Sequence, residues 1–224
     1  MLPRSDQYVN IHAHRRSAND REWVLTSVFA QDYPPEDPGS GHYSVGIHPW
    51  HLLRFDMNEQ LESVRIALED SHVLAVGEAG LDTLAEAPME LQRSVFESQV
   101  ELAQYANVAV VIHAVKTYHH FPEFVKDKQP TAPMIIHGYR GSAQMAADLV
   151  NAGYYLSFGE PLLRRDRKTE TLIRSVPPES LFLETDESNT PIEEIYQAAA
   201  GLLQMEVPAL MEAMAANART CFGS

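Results

Sequence analysis

The stretch of sequence that decides the fold lies at residues 73–115. Within it, "VLAVGEAGLD" (73–82) and "VAVVIHAV" (108–115) flank a longer segment at 88–106 whose apolar residues recur with helical spacing. Short apolar runs rich in valine indicate buried strands, whereas the longer periodic segment between them indicates an amphipathic helix. A strand, a helix and another strand in this order are typical of a βαβ unit, whose two strands run parallel.

The same alternation continues over most of the chain. Six more runs have the character of buried strands: "YVNIHAH" (8–14), "EWVLTSVFA" (22–30), "YSVGIHP" (43–49), "PMIIHGY" (133–139), "YYLSFGE" (154–160) and "LFLETDE" (181–187). Six more segments have helical spacing: 58–69, 118–128, 142–152, 162–175, 191–203 and 208–220. We expect Pro88 and Pro191 in the first turns of their helices and Thr190 as an N-cap. Eight strands, most of them followed by a helix, predict an α/β fold of the TIM-like (β/α) barrel type.

The first two βα units of this barrel are abbreviated. The segment "RRSAND" (15–20) is too short for a crossover helix, and "QDYPPEDPGSGH" (31–42) is rich in turn residues. We therefore expect a thin wall on this side. A second copy of the chain, in a homo-oligomer, or the C-terminal helix would cover it.

Length, charge and cysteine usage narrow the class of protein. The chain has 224 residues, which suits one barrel domain over residues 1–224. Its apolar runs are too short to cross a membrane, and we expect a soluble, cytoplasmic protein. The net charge of −14 argues against a broad basic surface for nucleic acid, although it permits a small cationic pocket. Cys221 is the single cysteine, so it has no partner for an intramolecular disulfide.

Polar side chains that can bind metal follow five of the predicted strands. His12 and His14 are two residues apart, so they share one face of a strand, and alone they suit either metal ligation or ordinary hydrogen bonding. The other candidates, each at the end of its strand, are Glu78, His113, His137 and Asp186. Because the carboxyl ends of barrel strands meet at one mouth, the combination favours a metal site there.

These strand ends resemble a known family. The motifs "VNIHAH", "GIHPWH", "GEAGLD", "VVIHAV", "IIHGYRGS" and "LFLETD" resemble, in order and spacing, those of TatD-family metal-dependent hydrolases of the amidohydrolase superfamily, many of them deoxyribonucleases. The resemblance implies that His12, His14 and Asp186 hold one divalent metal ion and that His113 and His137 hold a second. It implies that Glu78 bridges the two ions. Imidazole and carboxylate ligands suit zinc, manganese, nickel or iron.

The same resemblance implies a reaction. Two such ions share a hydroxide that attacks a phosphodiester of DNA or another substrate, with Glu78 and Asp186 as catalytic residues. Asp186 would receive the proton and pass it to the leaving oxygen. Two ions, two carboxylates and a hydroxide leave about one positive charge, which favours an anionic substrate. The expected substrate-binding residues are His48, Lys116, Arg140 and Arg15.

The chain also departs from the nucleolytic pattern. Asn10 stands where nucleolytic members carry aspartate, and it can orient an imidazole without supplying charge. Val115 stands where they carry arginine, and "DESNTP" (186–191) replaces a small residue followed by proline. Two alternatives therefore stay open. One is an amidohydrolase-like enzyme that cleaves a small-molecule amide, lactone or ester, and the other is a non-catalytic barrel that only binds.

Overall fold

Eight parallel strands form a sheet that curls into a nearly closed barrel. The structure is a computed structural model and describes residues 1–17, 19–35 and 41–223. Each strand pairs with the next one in sequence, in the order β1 to β8. The strands are β1 (Tyr8–Ala13), β2 (Glu22–Phe29), β3 (His42–Gly46), β4 (Val73–Asp82), β5 (Ala109–Val115), β6 (Met134–Ile136), β7 (Tyr155–Phe158) and β8 (Leu181–Leu183). The TIM-like fold class is therefore confirmed.

Seven helices surround the barrel in the described residues. They are α1 (Met57–Ala67), α2 (Met89–Ala106), α3 (Phe121–Lys128), α4 (Ala143–Asn151), α5 (Arg167–Arg174), α6 (Ile192–Leu203) and α7 (Val207–Phe222). The predicted helices at 118–128 and 162–175 are longer than the α-helices in the structure. The segment at 162–175 divides into a 3₁₀ helix at Glu160–Arg164 and α5, and residues Tyr118–His120 before α3 form a 3₁₀ turn.

The prediction that Pro88 and Pro191 lie in the first turns of α2 and α6, with Thr190 as an N-cap, is wrong by one position. Pro88 and Pro191 are themselves the N-cap residues, with extended ψ angles of 142° and 137°. The Thr190 hydroxyl lies near Ser188 and Glu160 instead of capping the helix. A proline at the N-cap withholds no hydrogen bond, because the first N–H groups of a helix lack intrahelical partners.

The centre of the barrel is apolar at its lower end. Val110, Val111 and Ile112 of β5 are fully buried, because one face points into the barrel and the other packs against helices. Strands buried on both faces therefore have continuous apolar sequences, and their polar residues are concentrated near their carboxyl ends. His113 lies at that end of β5, and Glu78, the sixth of the ten residues of β4, lies 3.5 Å from it.

The seam between β1 and β8 closes the barrel in two different ways. Near the mouth, the Asp186 backbone N–H donates to the His12 carbonyl at 2.9 Å. Lower down, the Asn10 side chain accepts from the Thr185 backbone N–H at 3.0 Å and donates to the Thr185 hydroxyl at 2.9 Å. The expectation that Asn10 orients an imidazole is thus wrong: its carboxamide joins the two ends of the sheet.

The thin wall beside the first two strands is covered in part by α7. The described residues 14–17 and 19–21 contain no helix, and the described residues between β2 and β3 contain only a 3₁₀ turn at Ala30–Asp32. The Phe222 ring of α7 lies 5.5 Å from the Trp23 ring of β2. The predicted turn region at 36–40, like Ala18, lies outside the described residues. Homo-oligomerisation stays a prediction.

None of the described helices is long and apolar enough to cross a bilayer.

The single cysteine, Cys221, is buried, and this burial raises the pKa of its thiol to about 12. The thiol is therefore protonated at neutral pH and unreactive.

Removing the Tyr196 hydroxyl should weaken the seam. This buried hydroxyl donates to the Val9 carbonyl and accepts from the Val9 N–H, both at 3.0 Å. Tyr196→Phe leaves both backbone groups buried without partners, so we expect a loss of about 2–4 kcal/mol in the free energy of unfolding. Urea denaturation measures the loss, and Tyr105→Phe, at a side chain that is 93% exposed, is the control. Equal stability of the two variants would contradict this account of the seam.

Candidate metal centre

Glu78 of β4 lies at the centre of the barrel mouth. The residue is only 3% exposed, so its carboxylate is almost withdrawn from water. The glycines around it let β4 approach β5 closely: a Cβ atom at Gly80 would lie 2.0 Å from the His113 carbonyl oxygen, and one at Gly77 would lie 2.5 Å from that of Val111. Both glycines have positive φ angles, which side chains disfavour. The "GEAG" motif therefore sets the position of the carboxylate.

One oxygen of Glu78 faces the imidazoles of β1. Glu78 Oε1 lies 3.6 Å from His12 Nε2 and 3.3 Å from His14 Nε2. Asp186 Oδ1 lies 3.6 Å and 3.5 Å from the same two nitrogens. His12, His14 and Asp186 thus bring one ligand atom each within 4.8 Å of one another.

The other oxygen of Glu78 faces a different set of imidazoles. Glu78 Oε2 lies 3.0 Å from His137 Nε2 and 3.5 Å from His113 Nδ1. His48 Nε2 lies 3.8 Å from the same oxygen. The carboxylate therefore stands between two groups of nitrogen atoms, one for each oxygen.

The charges in the mouth strongly perturb the titration of its members. Burial alone would raise the pKa of Glu78, but the imidazoles of His12 and His137 hold it well below its usual range. Burial would lower the pKa of His137, yet Glu78 and Glu184 raise it well above its usual value. Burial would raise the pKa of Asp186, but the nearby imidazoles of His12 and His14 lower it below its usual value. The carboxylates thus attract positive charge into this space.

The donor set fits divalent metal ions. Both ring nitrogens of His12 and of His137 are buried without hydrogen-bond partners in the described residues. Buried polar atoms without partners are rare in folded proteins and call for an ion or a ligand. Nitrogen and carboxylate donors together suit transition-metal ions, and a bound cation would replace the positive charge that the carboxylates otherwise draw onto His137.

Asp82 is a buried carboxylate of the site that sequence reasoning missed. Its Oδ2 atom accepts from His113 Nε2 at 3.0 Å and from Trp50 Nε1 at 2.8 Å. Gln92 fixes the backbone of Asp82, accepting from its N–H at 2.7 Å and donating to its carbonyl at 3.0 Å. Asp82 therefore holds the His113 proton on Nε2 and turns Nδ1 toward Glu78. The "GLD" that ends β4 was the available signal.

Glu184 is the second carboxyl group that sequence reasoning missed. It is 1% exposed, and its Oε1 accepts from the Gly138 N–H at 2.6 Å. The same oxygen lies 3.8 Å from His137 Nδ1. The net charge of about +1 expected from the sequence included only the carboxylates of Glu78 and Asp186. With the Asp82 carboxylate included, two divalent ions and a hydroxide leave no excess positive charge, so attraction of an anion depends on cations at the rim.

His48 turns a hydrogen-bond donor into the site. Its Nδ1 accepts from the Trp50 backbone N–H at 3.2 Å, which leaves the ring proton on Nε2. Burial and the neighbouring His113 lower the pKa of His48 to about 3. The imidazole is therefore neutral at physiological pH, with its N–H directed toward Glu78.

The three predicted substrate-binding cations differ in position. Arg140 is exposed and lines a cavity of about 560 Å³ next to Asp186. Arg15 is exposed and donates to the Asn189 side chain in the loop after β8. Lys116 is exposed just after β5, in a left-handed backbone conformation with φ of 58°. The structure thus places Arg140 at a cavity that is also lined by Asp186, one of the candidate metal ligands.

The barrel and its cluster of imidazoles and carboxylates define a class, the barrel hydrolases that depend on metal ions. A family model described as TatD related DNase matches residues 35–223. The chain belongs to the TatD family, and the resemblance of its motifs is confirmed.

Named relatives show how far the similarity extends. The uncharacterized metal-dependent hydrolase YjjV of Escherichia coli strain K12 is 31% identical over 169 residues, which are 74% of this chain and 63% of that protein. The 3'-5' ssDNA/RNA exonuclease TatD of Erwinia billingiae strain Eb661 is 28% identical over 222 residues, 89% of this chain and 84% of that protein. By sequence alignment, the chain spans less than two thirds of the length of YjjV and 57% of that of the metal-dependent hydrolase YabD of Bacillus subtilis.

A solved structure confirms the fold. The crystal structure of Escherichia coli YjjV superposes on 99% of this chain and 100% of its own, with a TM-score of 0.84 and 23% sequence identity. At this level of identity the match bears on the architecture of the barrel alone.

A methyl group at Gly80 should distort the candidate centre. Because the added Cβ would collide with the backbone of His113, Gly80→Ala should lower the free energy of unfolding by about 2 kcal/mol or more. Gly201→Ala is the control, since that glycine lies in α6 with open space around it and should gain up to about 1 kcal/mol. Thermal and urea denaturation compare the two. A neutral Gly80 variant would show that this close approach is unimportant.

Proposed function

We propose that this protein is a divalent-metal-dependent phosphodiesterase that acts on DNA or another phosphodiester. The observation that carries the proposal is the carboxylate of Glu78, whose two oxygens face two separate groups of imidazoles. Membership of the TatD family supports it, and so does the exonuclease name of the Erwinia billingiae relative. We also propose a cytoplasmic location, as the sequence predicts.

Six residues would hold two metal ions in this proposal. His12, His14 and Asp186 would bind one ion, and His113 and His137 would bind the other, with Glu78 shared between them. Their nitrogen and carboxylate donors favour zinc, manganese, nickel or iron. Bound ions of this kind lower the pKa of water and polarise the phosphoryl group.

Asp186 is suited to move the proton. Its side chain is 34% exposed, whereas that of Glu78 is 4% exposed, so Asp186 is the carboxylate that a substrate can approach. It also lines the cavity beside the centre. We assign Asp186 to accept the proton of the attacking water at a carboxylate oxygen and to return it to the leaving oxygen. Glu78 stays buried and positions the imidazoles.

The remaining side chains bind and orient the substrate. The neutral His48 offers its Nε2 proton to a phosphoryl oxygen, because its other nitrogen is occupied by the Trp50 backbone. Arg140 supplies a guanidinium group that can hold two phosphate oxygens. Arg15 and Lys116 would contact more distant phosphates of a longer strand.

Glu78→Ala should remove the shared ligand and with it the activity. We expect bound metal to fall from two ions per chain to one or none, and hydrolysis of bis(p-nitrophenyl) phosphate and single-stranded DNA to fall by at least about 100-fold. Metal analysis after reconstitution and a steady-state assay with manganese or zinc measure both effects.

Glu86→Gln, at an exposed carboxylate after β4, is the control for Glu78→Ala. Phosphodiesterase activity that survives in Glu78→Ala would contradict the two-metal assignment. A wild-type protein that hydrolyses lactones but no phosphodiester would favour the small-molecule alternative, and failure to retain metal would favour a barrel that only binds.

Asp82→Ala should weaken metal binding although Asp82 is not itself a proposed metal ligand. The change frees the His113 ring, so we expect the weaker of the two binding constants for Co²⁺ or Zn²⁺ to fall about 10- to 100-fold. Isothermal titration and the visible spectrum of the Co²⁺ protein measure this. Asp70→Ala is the matched control, because Asp70 also bonds a histidine, His72, outside the mouth. Equal affinities in both variants would refute a positioning role for Asp82.

A further inference from the structure

We propose that the cavity beside Asp186, here named the β7 cavity, binds the nucleotide adjacent to the scissile phosphodiester, including its next phosphate. The inference rests on the proposed phosphodiesterase function. The cavity measures about 560 Å³ and lies among the segments that follow β6, β7 and β8. That volume is in the range of sites for small organic ligands.

The β7 cavity is continuous with the candidate metal centre. Asp186 contributes to both, since it lines the cavity and lies 3.5 Å from His14 Nε2. A substrate whose phosphoryl group meets the centre therefore places its neighbouring residue at the entrance of this cavity. Tyr139, Phe158 and Leu172 supply apolar wall that can pack against a sugar or base.

Three cations line the same cavity: Arg140, Arg164 and Lys168. The structure shows no ion pair for any of the three with the residues it describes, although four acidic residues, Glu160, Glu184, Asp186 and Glu187, line the cavity too. Elsewhere Arg65, Arg174 and Lys128 do pair with carboxylates. In a chain with 31 acidic and 17 basic residues, three such cations around one cavity indicate that they serve an anionic ligand.

The inner wall of the cavity carries a hydrogen-bond acceptor, in contrast to the three cations. Glu184 lines it, and the Oε2 atom of Glu184 is buried without a hydrogen-bond partner in the described residues. A carboxyl oxygen left in this way needs a donor, such as a sugar hydroxyl or a base amino group. Cations toward solvent and an acceptor inside match a nucleotide, which carries a phosphate at one end and donors on its sugar and base.

The test compares a trinucleotide with a substrate too small to reach the cavity. Trithymidylate extends beyond the bond that is cleaved, whereas bis(p-nitrophenyl) phosphate has no second phosphate. We expect Arg164→Ala and Lys168→Ala each to raise KM for trithymidylate about ten-fold and to leave kcat nearly unchanged. Both variants should hydrolyse bis(p-nitrophenyl) phosphate at the wild-type rate.

Arg167→Ala is the matched control. Arg167 is exposed on the same helix, one residue before Lys168. It is not part of the lining of the β7 cavity, although it shares a neighbouring surface depression with Lys168. Its KM for both substrates should equal that of the wild type. Fluorescence anisotropy of a labelled phosphorothioate trinucleotide, with metal present, should show the same ranking of affinities independently of turnover.

The outcomes separate this inference from the function on which it rests. Hydrolysis of bis(p-nitrophenyl) phosphate by the wild type, with unchanged trithymidylate KM in Arg164→Ala and Lys168→Ala, would overturn the β7 cavity proposal alone. Equal losses of activity on both substrates in Arg164→Ala and Lys168→Ala would overturn the β7 cavity proposal as well, because these residues would then act on the metal centre. A wild type inactive on both phosphodiesters would overturn the proposed function and the inference together.

Discussion

The buried carboxylate of Glu78 is the constraint on which the rest of the site depends. A negative charge withdrawn from water is costly unless positive charge or hydrogen-bond donors surround it. The barrel meets this cost by directing five imidazoles toward Glu78 from β1, β3, β5 and β6. The glycines on either side let β4 lie close enough to β5 for this arrangement, and Asp82 turns His113 into it.

Closure of the barrel decides whether the two ends of the chain share one site. His12 and Asp186 are distant in sequence, yet a backbone hydrogen bond of 2.9 Å joins them across the seam. Asn10 and Tyr196 supply side-chain hydrogen bonds where the backbones of β1 and β8 do not meet. Asn10, one of the positions that depart from the nucleolytic pattern, thus has a structural role in closing the barrel. Helix α7 covers part of the thin wall beside β2.

Charge is distributed unevenly in this acidic protein. The mouth holds more carboxyl groups than its histidine motifs indicate, because Asp82 and Glu184 lie behind the imidazoles. Metal ions at the centre would largely neutralise those groups instead of leaving an excess positive charge. Three exposed cations line the β7 cavity, at the carboxyl ends of the strands, where ligands of such barrels bind.

The sequence by itself determined the strands and the identity of the candidate ligands. Apolar periodicity placed β4 at its observed bounds, and the motifs put His12, His14, Glu78, His113, His137 and Asp186 at strand ends, because local pattern is sufficient for both. Only the tertiary structure decided what lies behind those ligands. Asp82, Glu184 and Asn10 acquire their roles from partners that are remote in sequence. Arg164 and Lys168, which follow β7 in the chain, come to line the same cavity as Asp186. Such contacts depend on how the closed barrel packs, which periodicity and spacing do not encode.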